Sequence, residues 1–447
     1  MTMQKEQINH NLRSNLAELS EVPNAPFLFD PAVGFIANKF DQLGIPNISP
    51  LETEHYNTSY CEDEFAVYLR IKNDNSKDRL VFTTHLDHPF FVINDKKEGD
   101  ALGSVYSERV TPNTPLRIYS REGDFQGIDL IQSVHKTRNG NSIVMEGNVK
   151  LDKNNHGIWN LEPVDYDYGK IKMLSADDVA TTAVCLSVIE NTIRNLNQPV
   201  NVEFVFTKVE EVRQLSATGI AVRGSTPYGR FDDNTTIIPL ECDYVEMSDQ
   251  QRKLIKNSGF RSADYDSGLI LRLNDNKIVY SQSALSRNIA ETKILNSLLN
   301  TDTQYQQTLV GGACDGTSFT LFTDCPNVAG ITIPTRFKHN MGRNGEVVHE
   351  EIKISDLIGL NNVITQLVLD SDNHSSKENG LEIFPRLMNS RIVANNQNLH
   401  SLRSERLKTL YSNFSQLKNG SYFPENISQK TTFLLGKLNS RIKTLLK

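Results

Sequence analysis

Five well-separated segments of the chain carry side chains that bind metals or move protons. Four of them follow runs that read as buried strands. Arg79–Thr84 (RLVFTT) runs into His85-Leu86-Asp87, and Val202–Lys208 (VEFVFTK) leads to Glu210-Glu211. Thr236–Leu240 (TIIPL) runs into Glu241-Cys242-Asp243, and Val328–Ile333 (VAGITI) leads to His339. The fifth, Ser175-Ala176-Asp177-Asp178, precedes a helical pattern. Ligands of open parallel sheets bind beyond the carboxyl ends of the strands, so these side chains are expected to converge. Two imidazoles and three carboxylates can hold two divalent cations with one carboxylate bridging, and zinc-class metals accept both donor types. Two such cations about 3.5–4 Å apart clamp a water, lower its pKa and polarise a carbonyl. A further free carboxylate beside them would act as general base. Adjacent Glu210 and Glu211 can supply one base and one ligand, because neighbouring strand residues point in different directions.

Each piece alone has a plain structural reading. An HxD is common by chance, and a lone Glu-Glu is usually a solvated face. An Asp-Asp before a helix is more often a cap. His339 alone divides evenly between a surface histidine and a ligand. The conjunction, in this order and at strand ends, carries the metal reading.

The elements that must position these groups alternate. Pro31–Leu43 reads as an amphipathic helix that Gly44 can stop, and Val179–Leu196 and Glu351–Leu369 read as further helices. Strands alternating with helices predict an α/β fold, a mostly parallel sheet sandwiched by helices. From 88 to 170 the texture changes to short alternating runs split by Gly, Asn and Asp, which predicts a small inserted β domain. After Asp370 the chain is rich in Ser, Asn and Lys, and 399–417 and 432–446 read as basic amphipathic helices. The expected organisation is a catalytic domain from 1–87 and 171–370, a β domain over 88–170, and a helical extension over 371–447.

Composition narrows the function. The 447 residues are 38% hydrophobic and 23% charged, as in globular proteins. A net charge of -7 speaks against nucleic acid as a partner. The charge is uneven: residues 371–447 hold twelve Lys/Arg against five Asp/Glu, so the remainder is the more acidic part. No stretch approaches the roughly 18 apolar residues of a membrane helix, and the polar N-terminus shows no export signal. Five scattered cysteines without a CxxC pair argue against a thiolate zinc site or a disulfide framework, and for a reducing cytoplasm.

Five strings carry a family resemblance: THLD (84–87), SADDVATTA (175–183), TKVEEV (207–212), GGACDGTSF (311–319) and IPTRFKHN (333–340). Over roughly residues 10–370 the chain resembles the co-catalytic metal aminopeptidases, which include the tetrahedral and the bacterial glutamyl aminopeptidases. More broadly it resembles the zinc-dependent exopeptidase superfamily. The resemblance implies two divalent metal ions, zinc or cobalt, a peptide substrate, and a homo-oligomer whose contacts use an inserted β-barrel. It implies that His85 binds one metal while Asp87 orients its ring, and that Asp177 bridges the metals ahead of a cis peptide to Asp178. Glu210 would be the general base, Glu211 and His339 would hold the second metal, and Glu241 would complete the first site. This chain departs from the family pattern at Glu241, where Asp is usual, with Asp243 as the alternative ligand. It departs again at His88 and Val179.

Other residues have bland readings beside functional ones. Gly311-Gly312 and Asp315-Gly316 shape either a pocket loop or a plain turn. Arg336 meets either a substrate or a structural carboxylate. Cys314 lacks a neighbouring base for a nucleophile role. His55, His135, His156, His349, His374 and His400 read as surface histidines, and Trp159 as core. The expected activity is removal of N-terminal residues from peptides. A carboxypeptidase-like or deacylating hydrolase, and a non-catalytic assembly protein on a peptidase fold, are the alternatives.

Overall fold

The computed structural model describes residues 2–370, apart from 74–77, 106–109, 138–139, 153, 196–199, 246–262, 276–279, 281–288, 309, 311, 324, 326 and 343–345. The helical extension expected at 371–447 lies outside the described residues.

Two helices open the chain, α1 (Thr2–Ser20) and α2 (Asp30–Gln42). Strands β1 (Thr58–Glu62), β2 (Ala66–Lys72) and β3 (Arg79–His85) follow. Six strands then close into a barrel: β4 (Phe90–Ile93), β5 (Glu98–Leu102), β6 (Pro115–Tyr119), β7 (Phe125–Thr137), β8 (Gly140–Met145) and β9 (Asn155–Trp159). After it come β10 (Val164–Asp167), β11 (Lys170–Met173), α3 (Ala176–Arg194), β12 (Asn201–Thr207) and α4 (Leu215–Arg223). A short hairpin, β13 (Ser225–Thr226) and β14 (Gly229–Arg230), precedes β15 (Thr235–Tyr244) and β16 (Leu269–Arg272). The chain continues through α5 (Ile289–Asn300), β17 (Tyr305–Gln307), α6 (Asp315–Phe322), β18 (Asn327–Val328), β19 (Gly330–Thr335), β20 (Glu350–Lys353) and α7 (Ile354–Leu369).

The central sheet runs β1-β2-β12-β3-β15-β19-β16-β17, with β18 beside β15. Its centre, β12-β3-β15-β19, is parallel. Both flanks bring antiparallel pairs, β1 with β2, β2 with β12, and β16 with β19. The sheet is therefore mixed, parallel at its centre as expected and antiparallel where β1, β2 and β16 join it. Hydrophobic runs mark burial on two faces and carry no strand direction, so the flanks could not be read from them. The closing helix also starts later than expected. Residues 350–353 form β20, which pairs with β11 in a separate three-stranded sheet with β10.

All seven residues of β3 and of β12 are buried. Alternation sends their side chains to opposite faces. Leu80, Phe82, Phe204 and Phe206 pack on one face with α1, α2, α3, α5 and α7. Val81 and Val205 pack on the other with α4 and α6. The barrel has its own core, in which Phe90, Phe91, Ile118, Ile131 and Trp159 are buried. The two cores of the sheet fix its strands rigidly, and the strand ends carry the polar side chains.

Candidate metal centre

Strand register does the first part of the assembly. Ile238 lies opposite Phe82 and Pro239 opposite Thr83 in the β15–β3 pair. Continuing by two residues brings Glu241 abreast of His85 on the same face. On the other side of β3, Thr207 lies opposite His85, so the chain leaving β12 carries Glu210 and Glu211 past that imidazole. Asp177 enters from the start of α3, where the Asp177–Asp178 peptide is cis. His339 comes from a single helical turn after β19, Lys338–Asn340, with its own backbone in the left-handed region at φ +60°.

The side chains converge in two groups that share one carboxylate. His85 Nε2 lies 3.2 Å from Asp177 Oδ1 and 3.5 Å from Glu241 Oε1. His339 Nε2 lies 3.3 Å from Asp177 Oδ2 and 3.2 Å from Glu211 Oε1. The two oxygens of Asp177 thus face two different histidine–carboxylate pairs. His85 Nε2, Asp177 Oδ1, Glu211 Oε1 and His339 Nε2 are buried and make no hydrogen bond. Buried polar atoms normally find such partners, and a set of orphans aimed at one another is what an ion would satisfy. Imidazole nitrogen and carboxylate oxygen in groups of three or four residues suit divalent cations of the zinc class.

Support from behind fixes these donors. His85 Nδ1 lies 2.8 Å from the Asp87 main-chain oxygen, an acceptor that requires an N–H on Nδ1. Burial lowers the ring, but Asp177, Asp87 and Glu241 hold its proton affinity well above the usual histidine value, so Nε2 faces the cluster and offers a lone pair to a cation only on giving up its proton. The Asp87 carboxylate is 3.5 Å from the ring. Its hydrogen bonds go to the Glu210 N–H at 2.8 Å and the Glu211 N–H at 3.2 Å. Asp87 therefore steers two glutamates as well as one imidazole. His339 Nδ1 in turn lies 3.3 Å from the Ser104 carbonyl oxygen, beside the barrel strand β5.

The charges are strongly coupled. Burial pushes Asp177 up, but Lys338, His339 and His85 outweigh it and hold its carboxyl well below the usual range. Glu211 is likewise lowered by His339 against burial. Glu210 behaves oppositely. Burial, then Glu241, Glu211 and Asp315, raise it well above the usual range against the pull of His85. Gln214 Nε2 donates to its Oε1 at 2.6 Å. Asp178 accepts from Thr84 Oγ1 at 2.7 Å, and burial keeps its carboxyl raised.

Two further residues at this place gave no sequence signal. Glu350, fully buried on β20, accepts the Asp177 N–H at 2.9 Å with one oxygen and the His339 N–H with the other. Burial and the Asp177 charge push it up to about 8. Lys338 places its ammonium 2.9 Å from Asp177 Oδ2 and 3.0 Å from Glu241 Oε1. Burial lowers it, but Asp177, Glu241 and Glu211 hold it well above the usual lysine value. The IPTRFKHN string names Lys338 only as the residue before His339, and its contacts depend on the fold.

The remaining candidates lie elsewhere in purpose. Asp243 is engaged by Arg272 at 2.6 Å and Thr332 at 2.8 Å, away from the histidines. Arg336 pairs with Glu351 at 3.3 Å and stacks 4.0 Å over Tyr265. The buried Cys314 thiol lies 3.0 Å from the Tyr280 hydroxyl, and burial pushes it up to about 12, which makes it inert at neutral pH. The Gly312 carbonyl accepts from Arg272 at 3.1 Å. His156 is buried in the barrel rather than on the surface, a correction to its sequence reading. Trp159 is core, and all five cysteines are buried and unpaired. His374 and His400 lie outside the described residues. No described helix is long and apolar enough to cross a membrane.

No family model and no curated protein matches the sequence. Solved structures do match. The TET1 peptidase of Pyrococcus horikoshii, which assembles into a tetrahedron or a large octahedral shell, superposes with a TM-score of 0.60 at 14% identity, covering 80% of this chain and 99% of that one. An aminopeptidase of the archaeon Desulfurococcus kamchatkensis gives 0.59 at 15% identity, covering 81% and 96%. A Thermotoga maritima structure described as an endoglucanase gives 0.53 at 15%, covering 79% and 96%, so similarity of fold alone does not fix the reaction. Over about four-fifths of its length the chain has the fold of the tetrahedral aminopeptidases, the family its motifs resemble.

Proposed function

We propose that this protein is a dinuclear metal-dependent aminopeptidase that hydrolyses N-terminal residues from peptides. The single observation that carries the reading is Asp177, whose two buried oxygens serve two separate histidine–carboxylate pairs. In this reading His85, Asp177 and Glu241 hold one zinc or cobalt ion, and Asp177, Glu211 and His339 hold the other. When bound, such ions act as Lewis acids toward the scissile carbonyl and lower the pKa of a shared water.

The chain's own groups supply the rest. Glu210 takes a proton from the attacking water at its carboxylate and delivers it to the leaving amine. Burial and the neighbouring carboxylates raise its proton affinity, which favours holding the proton between its uptake from water and its delivery. Asp87 keeps Glu210 and Glu211 apart in role by fixing both backbone N–H groups. Glu350 holds the backbones of Asp177 and His339 at one separation. The hydrophobic cores beneath the strand ends keep these donors rigid, which preorganises the site.

Metal content measured together with hydrolysis of aminoacyl reporters, with and without chelator, tests the reading. Two divalent ions per chain and chelator-sensitive release of the N-terminal residue are expected. Full activity in metal-free protein would end it. Glu241, where the aminopeptidase pattern usually has Asp, supports a second reading, a carboxypeptidase-like or deacylating hydrolase. Cleavage of N-blocked substrates alone would select that reading. The barrel and the assembled TET relatives support a homo-oligomer, which light scattering would size.

A further inference from the structure

A lysine inside a cluster built for cations is the least expected feature of the site. The Lys338 ammonium makes three contacts: Asp177 Oδ2 at 2.9 Å, Glu241 Oε1 at 3.0 Å and the Cys242 carbonyl oxygen at 2.7 Å. One of its carboxylate oxygens belongs to each proposed metal position. The next residue, His339, is itself a proposed metal donor, so one short turn delivers both a competing charge and a ligand. The Lys338 side chain is 19% exposed, so it is not wholly enclosed by the cluster.

An ammonium and a divalent ion cannot share these oxygens without strong repulsion in a buried setting. Without metal, the cluster would hold several carboxylates together, and burying like charges without a counter-charge is costly. Lys338 meets that need from within the chain. We infer that Lys338 is a built-in placeholder cation, which neutralises Asp177 and Glu241 in the metal-free protein and must yield when metal loads. The inference rests on the proposed metal centre and adds how that centre is filled. Its consequence is a trade. The lysine stabilises the empty site and weakens metal affinity by the same contacts, because the metal must displace it.

The test compares the full-length wild type with Lys338→Met and, as a second neutral variant, Lys338→Gln. Zinc affinity is read by competition with a chelating dye, and thermal unfolding is read with and without zinc. Both variants are expected to bind zinc about tenfold tighter or more, by relief of charge repulsion. Their metal-free forms are expected to melt lower than wild type, while the gain in melting temperature on adding zinc grows. Equal or weaker zinc binding in both variants would overturn the inference, since Lys338 would then support the loaded centre or stand apart from it. Zinc binding to neither wild type nor variants would remove the metal centre itself, and the placeholder with it. If one variant fails to fold, the other decides.

Discussion

The barrel and the strand-end cluster are both buried, yet they are built on opposite principles. Inside the barrel, Phe90, Phe91, Ile118, Ile131 and Trp159 pack into an apolar core, with the buried polar Asp129, Asn155 and His156 on its strands. Trp159 meets Phe91 edge to face at 5.2 Å. At the strand ends, Asp87, Asp177, Asp178, Glu210, Glu241 and Glu350 are all 5% exposed or less and crowd around two histidines. The first region gains from burial and the second is burdened by it, because charged groups leave water at a cost. The comparison teaches where stability and where chemistry reside. Ser104, next to the barrel, faces His339 Nδ1, so the two regions still touch.

The comparison can be broken most sharply at the base. Glu210→Gln is expected to keep metal and folding while lowering turnover about 10²–10⁴-fold, the usual contribution of a positioned proton-transfer group. Metal analysis beside reporter kinetics checks it, and unchanged turnover would remove the role. In the barrel the converse holds. Trp159→Ala should cost about 3–5 kcal/mol of stability through the cavity it leaves, with zinc affinity unchanged. Denaturant unfolding and dye competition would show whether the regions separate in this way.

Acid should tell them apart as well. His156, buried in the barrel, is lowered by that burial from 6.5 to about 4. Between those values the unfolded chain binds the extra proton, so this stability is present above pH 6.5 and lost as pH falls toward 4. The contribution is about 3 kcal/mol. Asp315, near the cluster, has the reverse sign. Burial raises it to about 7, so its contribution is present below pH 4 and lost as pH rises through 7. Unfolding midpoints of wild type and His156→Gln at pH 6.5 and 4.5 measure the barrel part; equal acid sensitivity in the two proteins would discard it. The smallest effect sharpens the support of the site. Asp87→Asn trades one carboxylate oxygen for a donor facing a backbone N–H, and zinc affinity should fall about 10–100-fold. Isothermal titration would find no change if Asp87 served folding alone.

Much of the site was legible because metal chemistry requires particular residue types, and parallel strands deliver them at predictable ends. His85, Asp177, Glu210, Glu211, Glu241 and His339 were named from strand-end position and motif, and the structure gathers all six. Glu350 and Lys338 escaped notice. Glu350 clamps a backbone 173 residues away, and no local pattern encodes that contact. His156 likewise looked like a surface histidine, because the closure of the barrel, not its own strand, buries it.

By itself the sequence determined the alternation of strands and helices, the inserted β unit, and the order of the metal-binding residue types. These follow from side-chain periodicity and covalent spacing, which act over a few residues. Only the tertiary structure decided the antiparallel flanks of the sheet, the division of Asp177's oxygens between two partners, and the entry of Lys338 among the carboxylates. Those depend on strand register and on packing between distant segments, where a shift of one residue sends a side chain to the other face.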